Sequence, residues 1–256
     1  MTNGQILDTA IAQSALDLCA SEEAFKNGKR TVVISEKRSG QRSYLTLPFS
    51  CNIVSYGSGV VASASQEYYE LVKKYIESYP IEHLFETPNM HVLNDALNKM
   101  GQRICFMAEY FLPDVNLLSQ IDCGYKLRLL TQSDFFDLYL PEWSNALCEK
   151  RKALDVVGIG AYDGERLVGL AGASADCDSM WQIGVDVLSE YRMQSIASAL
   201  TSHLAIEILN RGEVPFYCAA WSNVASVRNA IKSGFRPAWV EMTAKPSEFV
   251  DGMNKI

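Results

Sequence analysis

Arg192 sits at the end of a short polar link, Leu188-Ser189-Glu190-Tyr191-Arg192, between a segment patterned as a strand and one patterned as a helix. That placement suits an anion. The first N–H groups of a helix have no partner within it, and the helix dipole favours negative charge at that end. Metal and disulfide chemistry find no comparable pattern. The three histidines, His83, His91 and His203, have no ligand spacing. The seven cysteines (Cys19, Cys51, Cys105, Cys123, Cys148, Cys177 and Cys218) are odd in number and contain no C-x-x-C pair, so free thiols in a reducing compartment are expected.

The elements that must hold this link are well patterned. Trp181, Ile183, Val185 and Val187 alternate with Gln182, Gly184 and Asp186, the period of a strand with one buried face. After the link, Ile196, Leu200, Leu204 and Ile208 recur four apart on one helix face, and Gly212 offers a left-handed stop. A second strand, 214–221, a helix, 223–233, and a third strand, 236–243, follow. Upstream, 125–130 reads as strand, 133–152 as helical, and 156–162 and 166–174 as strands joined by an Asp163-Gly164 hairpin turn. Residues 1–30 read as helix ending at Asn27-Gly28, and Thr31–Ser35 as a short strand. Lys37–Arg42 reads as a solvated basic loop. Then come strand 52–61, helix 67–78, strand 81–86, a helix ending at Gly101, and strand 103–112. The stretch from Phe111 to Gly124 reads as a linker. The order strand, helix, strand, helix, strand thus occurs twice. A degenerate half-repeat and a common β-α-β-α-β arrangement both account for it.

With 256 residues there is room for one large or two small domains, and 48% hydrophobic with 21% charged residues is ordinary for a globular protein. A net charge of −7 argues against a nucleic-acid surface. No long apolar span or leader pattern is present, and a cytoplasmic protein with no membrane partner is expected, as monomer or homodimer.

The run Val187-Leu188-Ser189-Glu190-Tyr191-Arg192-Met193-Gln194-Ser195-Ile196-Ala197 resembles the coenzyme A motif of the GNAT superfamily of acyl-CoA N-acyltransferases. In that motif a strand ending Val-x-Pro leads to Arg/Gln-x-x-Gly-x-Gly/Ala at a helix start. Arg192, Ile196 and Ala197 match; Ser189 replaces the Pro and Ser195 the Gly. Trp221 to Phe235 resembles the family's later Asn-x-x-Ala/Ser-…-Gly-Phe segment, with Asn223, Ser226 and Gly234-Phe235 in place. The resemblance covers the C-terminal half. It implies a GNAT-type mixed central sheet flanked by helices over residues 124–256, preceded by an N-terminal α/β domain at 1–120. It assigns Val185, Asp186 and Val187 to the pantetheine arm, Arg192, Met193, Gln194, Ser195, Ile196 and Ala197 to the pyrophosphate, and Asn223 and Ser226 to the same ligand.

The family's tyrosine acid falls at Ala230 and its glutamate base at Cys218, so both proton-transfer groups are absent. An ammonium acceptor must lose a proton before attacking. Asp186 is the candidate catalytic carboxylate, with Gln182 on the same face and Asp176, Asp178 and Glu241 as further acids. Cys218, Trp143 and Trp221 read as packing residues. The expected activity is transfer of an acetyl group from acetyl-CoA to a primary amine of a small molecule, without a metal. The alternative is a non-catalytic acyl-CoA-binding or ligand-sensing protein that keeps the fold.

Overall fold

A computed structural model describes residues 1–255. In chain order its elements are α1 (Asn3–Leu18), β1 (Arg30–Ile34), β2 (Asn52–Ser55), β3 (Val60–Ala64), α2 (Tyr69–Ser78), α3 (Thr87–Asn98), β4 (Gln102–Pro113) and β5 (Lys126–Thr131). There follow β6 (Asp155–Asp163), β7 (Arg166–Ser174), β8 (Met180–Val187), α4 (Ile196–Asn210), β9 (Val214–Ala219), α5 (Val224–Lys232), β10 (Phe235–Pro246) and α6 (Ser247–Met253). The class is α/β with mixed sheets flanked by helices, as the sequence implied. No helix among the described residues is long and apolar enough to cross a membrane.

Two compact units result, and neither is a continuous stretch. One comprises Met1–Thr9 with Phe111–Pro237, the other Ala10–Tyr110 with the residues from Ala238 onward. This departs from the expected spans 1–120 and 124–256. The reason is that Val240–Thr243 of β10 pair antiparallel with Asn52–Ser55 of β2, which draws the end of the chain into the second unit. Nor is 111–124 a linker. Phe111 is buried in the first unit's core, the Asp114 N–H donates to the Gly234 carbonyl at 2.9 Å, and the Asp114 carboxylate pairs with Arg236 at 2.6 Å.

In the first unit β5, β6, β7 and β8 form an antiparallel run, and β9 joins β8 in parallel. A parallel neighbour needs a crossover, and α4 provides it. Ile196, Leu200, Leu204 and Ile208 are all buried against this sheet, each contributing about 1.5–3 kcal/mol of burial. The other face of α4 is also covered, by polar contacts with α5. Asn229 accepts from Ser198 Oγ at 3.1 Å and donates to Thr201 Oγ1 at 3.0 Å.

The helix expected over 133–152 is replaced by three short 3-10 turns, Gln132–Phe135, Pro141–Trp143 and Glu149–Leu154. Pro141 lacks the N–H that a continuing helix needs, and Arg151 leaves helical geometry at φ −136°, ψ 39°. The middle of this segment lies directly on the sheet. Gly172 and Gly184 face each other across β7 and β8, and a Cβ on Gly184 would stand 1.8 Å from the Asn145 carbonyl oxygen.

The second unit orders its strands β1–β3–β2–β10, with β1 parallel to β3 and the other pairs antiparallel. The single strand expected at 52–61 is a hairpin, β2 and β3, turning at Gly57 (φ 89°). The strand expected at 81–86 is a 3-10 turn, Ile81–His83, entered from Pro80. Adjacent Glu82 and His83 are both exposed, so the period-2 burial of a strand is missing. These two corrections leave the N-terminal order as strand, strand, helix, helix, strand, which removes the parallel behind the half-repeat. The first helix stops at Leu18, well before Gly28. Cys19 takes a left-handed conformation (φ 64°), and the Ala20 N–H closes on the Ala15 carbonyl at 2.9 Å.

Arg42 is not part of a solvated loop. It is buried and ion-paired with Asp17 at 3.1 Å, and its N–H donates to the same carboxylate at 2.9 Å. Beside it Asn52 donates to the buried Glu241 at 2.8 Å, and Tyr56 and Tyr110 each stack on Trp239. Burial raises the Glu241 pKa, opposed by Arg42 and the Asn52 bond. A carboxyl whose folded pKa exceeds its unfolded value holds its proton more tightly when folded. Its contribution therefore favours the fold at low pH and is lost as pH rises from about 4.3 through the folded value. Glu241→Gln should flatten that decline. Urea midpoints from acid to neutral pH should fall less steeply in the variant than in the native protein.

Candidate active site

The last residues of β8, the turn and the start of α4 form one side of a cavity of about 300 Å³, and α5 forms the other. The turn is made by a 3-10 segment, Ser189–Tyr191, then Arg192 in extended geometry. Met193 and Ser195 both adopt left-handed conformations, at φ 64° and 63°. Two left-handed residues so close together in sequence re-aim the chain, leaving the α4 N-terminus open to the cavity. Ser195 is therefore held in a backbone conformation that a glycine takes without cost.

Three cations line this cavity: Arg192 from the turn, and Arg228 and Lys232 from α5. Arg192 Nε donates to the Val187 carbonyl at 3.3 Å, which ties the turn to the strand. Lys232 Nζ donates to Ser195 Oγ at 2.8 Å. Of the residues expected at a pyrophosphate site, Arg192, Met193, Ser195, Ile196 and Ala197 line the cavity, as does Val187. Gln194 does not; its side chain accepts from the Tyr125 hydroxyl at 2.6 Å. Arg228 and Lys232 were missed by the motif. Their signal is a basic pair four apart on α5, which puts both on one helix face.

Above this cavity the sheet opens. β8 and β9 pair over Met180–Val214, Trp181–Pro215 and Gln182–Phe216, and no further pair forms between them among the described residues. β8 nevertheless continues to Val187, paired on its other edge with β7. The backbone of Val185 to Val187 thus has one strand partner where an interior strand has two. At the fork Gln182 Nε2 donates to Cys218 Sγ at 3.1 Å.

The expected catalytic carboxylate is engaged elsewhere. Asp186 accepts from Asn145 N–H at 2.8 Å, Asn145 Nδ2 at 2.6 Å and Ala146 N–H at 3.0 Å. These bonds hold the turn that lies on Gly172 and Gly184, so the geometry gives Asp186 a positioning part. Asp176 is buried in an ion pair with Arg151, Asp178 is exposed, and Glu241 belongs to the buried cluster of the other unit. Trp143 packs in the core, whereas Trp221 is 56% exposed, against the packing role expected of it. Asn223 caps α5 by accepting from the Ser226 N–H at 3.1 Å; neither residue lines the cavity.

Ala230 is fully buried. In the same core cluster stands Tyr217, from β9, whose hydroxyl is 2.8 Å from Ser226 Oγ. Burial raises its pKa, outweighing the hydrogen bonds to Ser226 and Asn229, so it remains a protonated phenol at neutral pH. Among the described residues no group of three or more His, Cys, Asp or Glu side chains could hold a metal ion.

Comparison with known proteins bears on this geometry directly. A family model described as GNAT acetyltransferase matches residues 60–238, well over half of the chain. The chain belongs to the GNAT acetyltransferase family. Its members use acyl-CoA, and the open strand edge, the cationic turn and the free helix N-terminus are residues of the right kind to hold one. The comparison with curated proteins gives no match. Among solved structures, a GCN5-related N-acetyltransferase-like protein from Streptococcus suis is similar at 20% identity and TM-score 0.45, over 61% of this chain and 69% of that one. A GCN5-related N-acetyltransferase from Kribbella flavida is similar at 13% identity and TM-score 0.48, over 64% and 66%. An aminoglycoside N-acetyltransferase in complex with CoA is similar at 15% identity and TM-score 0.37, over 45% and 90%. The family assignment rests on the family match.

Two outcomes follow for this GNAT site. Ser195→Gly should relieve left-handed strain, raising stability by about 1 kcal/mol, and should keep or tighten coenzyme A affinity as measured by calorimetry. A clearly weaker complex would make the serine hydroxyl a ligand. Asp186→Ala should cost about 1.5–3 kcal/mol of unfolding free energy, through loss of its charged hydrogen bonds. An Asp186→Ala protein as stable as the native one but inactive would restore the carboxylate as base.

Proposed function

We propose that the protein is an N-acetyltransferase that moves an acetyl group from acetyl-CoA to a primary amine of a small molecule. The observation that carries this reading is the parting of β8 and β9 directly above a cationic, left-handed turn in a member of the GNAT family. Acetyl-CoA supplies an activated thioester. The backbone of Val185 and Val187, with no β9 pair on that side, is offered to its arm as an added strand would use it, the Val187 carbonyl already accepting from Arg192 Nε. Arg192, Arg228 and Lys232, with the α4 N-terminus, offset phosphate charge. The amine attacks the thioester carbonyl, the carbon–sulfur bond breaks, and the departing thiolate takes a proton.

Tyr217 is our candidate for that proton. Its phenol is protonated, it stands in the same buried cluster as Ala230, and Ser226 is placed to re-supply it. A tyrosine placed at 230 would instead enlarge a fully buried side chain of the core, and overpacking costs about 1–3 kcal/mol. A second reading, an acyl-CoA binder without turnover, is favoured by the engagement of Asp186 with the 145–146 turn. It would share the cavity and lose only the chemistry.

Acetyl-CoA should raise the melting temperature, since it binds the folded state, and an amine panel should show release of free thiol. Tyr217→Phe should lower kcat by about 10²-fold, the low end of acid–base contributions, with KM for acetyl-CoA unchanged. No thermal shift by the folded protein at millimolar acetyl-CoA would falsify both readings. A thermal shift without turnover would select the binder.

A further inference from the structure

Two Asn-Gly pairs occur in the chain, Asn3-Gly4 and Asn27-Gly28. Asparagine before glycine is a chemically weak point. The backbone nitrogen of the glycine can reach the side-chain amide carbon and close a five-membered ring, and glycine has no Cβ to obstruct the approach. Whether it does so depends on what holds the carboxamide, and the fold treats the two pairs differently.

Asn3 opens α1, and both ends of its carboxamide are engaged within the first unit. Its Nδ2 donates to Asp114 Oδ1 at 2.8 Å, and its Oδ1 accepts from the Val115 N–H at 2.8 Å. Ring closure there needs a local opening that breaks both bonds first. Asn27 belongs to the second unit, in an exposed bend between the 3-10 turn Glu22–Phe25 and β1. Its Oδ1 accepts from the Lys29 N–H at 2.9 Å. That bond folds the side chain back along its own backbone, as asparagine does in turns. A donor on this oxygen also stabilises the negative charge that an attack on Cγ would place there. Asn27 Nδ2 and the Gly28 N–H have no partner among the described residues. Gly28 takes a left-handed φ of 71°, with open space where a Cβ would stand, so solvent reaches the pair.

We infer that Asn27-Gly28 is a site of spontaneous modification in the folded protein, deamidating to aspartate and isoaspartate while Asn3-Gly4 is spared. The Gly28 nitrogen loses its proton to solvent base and attacks Asn27 Cγ. The bond from Cγ to Nδ2 breaks, and ammonia leaves with a proton taken from water. A water molecule then adds to either carbonyl of the ring and opens it, so the net change is amide plus water to carboxylate plus ammonium, with no redox step. Backbone ties hold the chain on both sides, since the Phe25 carbonyl accepts from the Gly59 N–H at 3.0 Å and the Lys29 carbonyl from the Val60 N–H at 3.1 Å. The isoaspartyl product inserts one extra main-chain carbon between those ties. The site lies in the other unit from the coenzyme cavity and goes beyond the acyl-transfer reading.

Peptide mapping by mass spectrometry tests this on the full chain, held at mildly alkaline pH below its melting temperature and, in parallel, in denaturing urea. In the folded protein the Asn27 peptide should convert to a separable aspartate and isoaspartate pair, faster as pH rises. The Asn3 peptide should convert more slowly by about tenfold or more, which corresponds to an opening free energy of at least about 1.4 kcal/mol. In urea the two should convert at similar rates. Asn27→Gln, which would have to close a larger ring, should leave its peptide unchanged. A folded protein whose Asn27 stays intact while the unfolded chain converts, or in which Asn3 keeps pace with Asn27, would overturn the inference. Acetyl-CoA thermal shifts read the acyl-transfer site separately, so either reading can fail alone.

Discussion

Much of the first unit follows from the short pairing between β8 and β9. Parallel strands that hydrogen-bond over three residue pairs and then separate leave the end of β8 with backbone groups that have no strand on one side. Such groups are costly unless water or a ligand reaches them. The crossover helix α4 must begin where β8 ends, so its free N–H groups come to the same place. The fork and the helix start are thus two results of one connection. The side chains that make the cavity specific are additions to that backbone arrangement.

The left-handed turn shows how a motif can depart from its usual residues and keep its geometry. Ser195 takes the φ that the family's glycine would take, and its hydroxyl holds Lys232. The strain is modest, and the hydroxyl partly offsets it through a charge-assisted bond. Asp186 is the opposite case. Its residue type and position on the motif strand suggested chemistry, yet its oxygens are occupied by backbone and side-chain donors of a turn forty residues earlier in the chain. Three donors on its two oxygens give that carboxylate a structural part in holding the turn.

How much was legible follows from the physics of each part. The strands from β6 to β8 and the helix α4 were readable because their apolar period is undisturbed, and the strand 166–174 has the bounds expected of it. The 132–154 segment was not, because single turns of 3-10 helix carry no period and Pro141 interrupts what periodicity there is. The stop at Cys19 was hidden because the left-handed residue is not a glycine. Arg42 looked solvated because three cations in six residues read as surface; only the fold reveals that Asp17 lies buried beside it. Arg228 and Lys232 were invisible to the coenzyme motif because they come from a different helix and meet the turn only in space.

The contact between Gly172, Gly184 and the 145–146 turn has a consequence for the history of the chain. Any single-base change in a glycine codon that alters the residue yields one with a side chain, and every side chain begins with the Cβ that has no room here. Conservative replacement, the usual route by which a core drifts, is closed at both sites. A lineage could change them only after the turn had first moved away, and that would require giving up the grip of Asp186. These glycines should therefore be among the slowest-changing positions in the chain, although they touch no ligand.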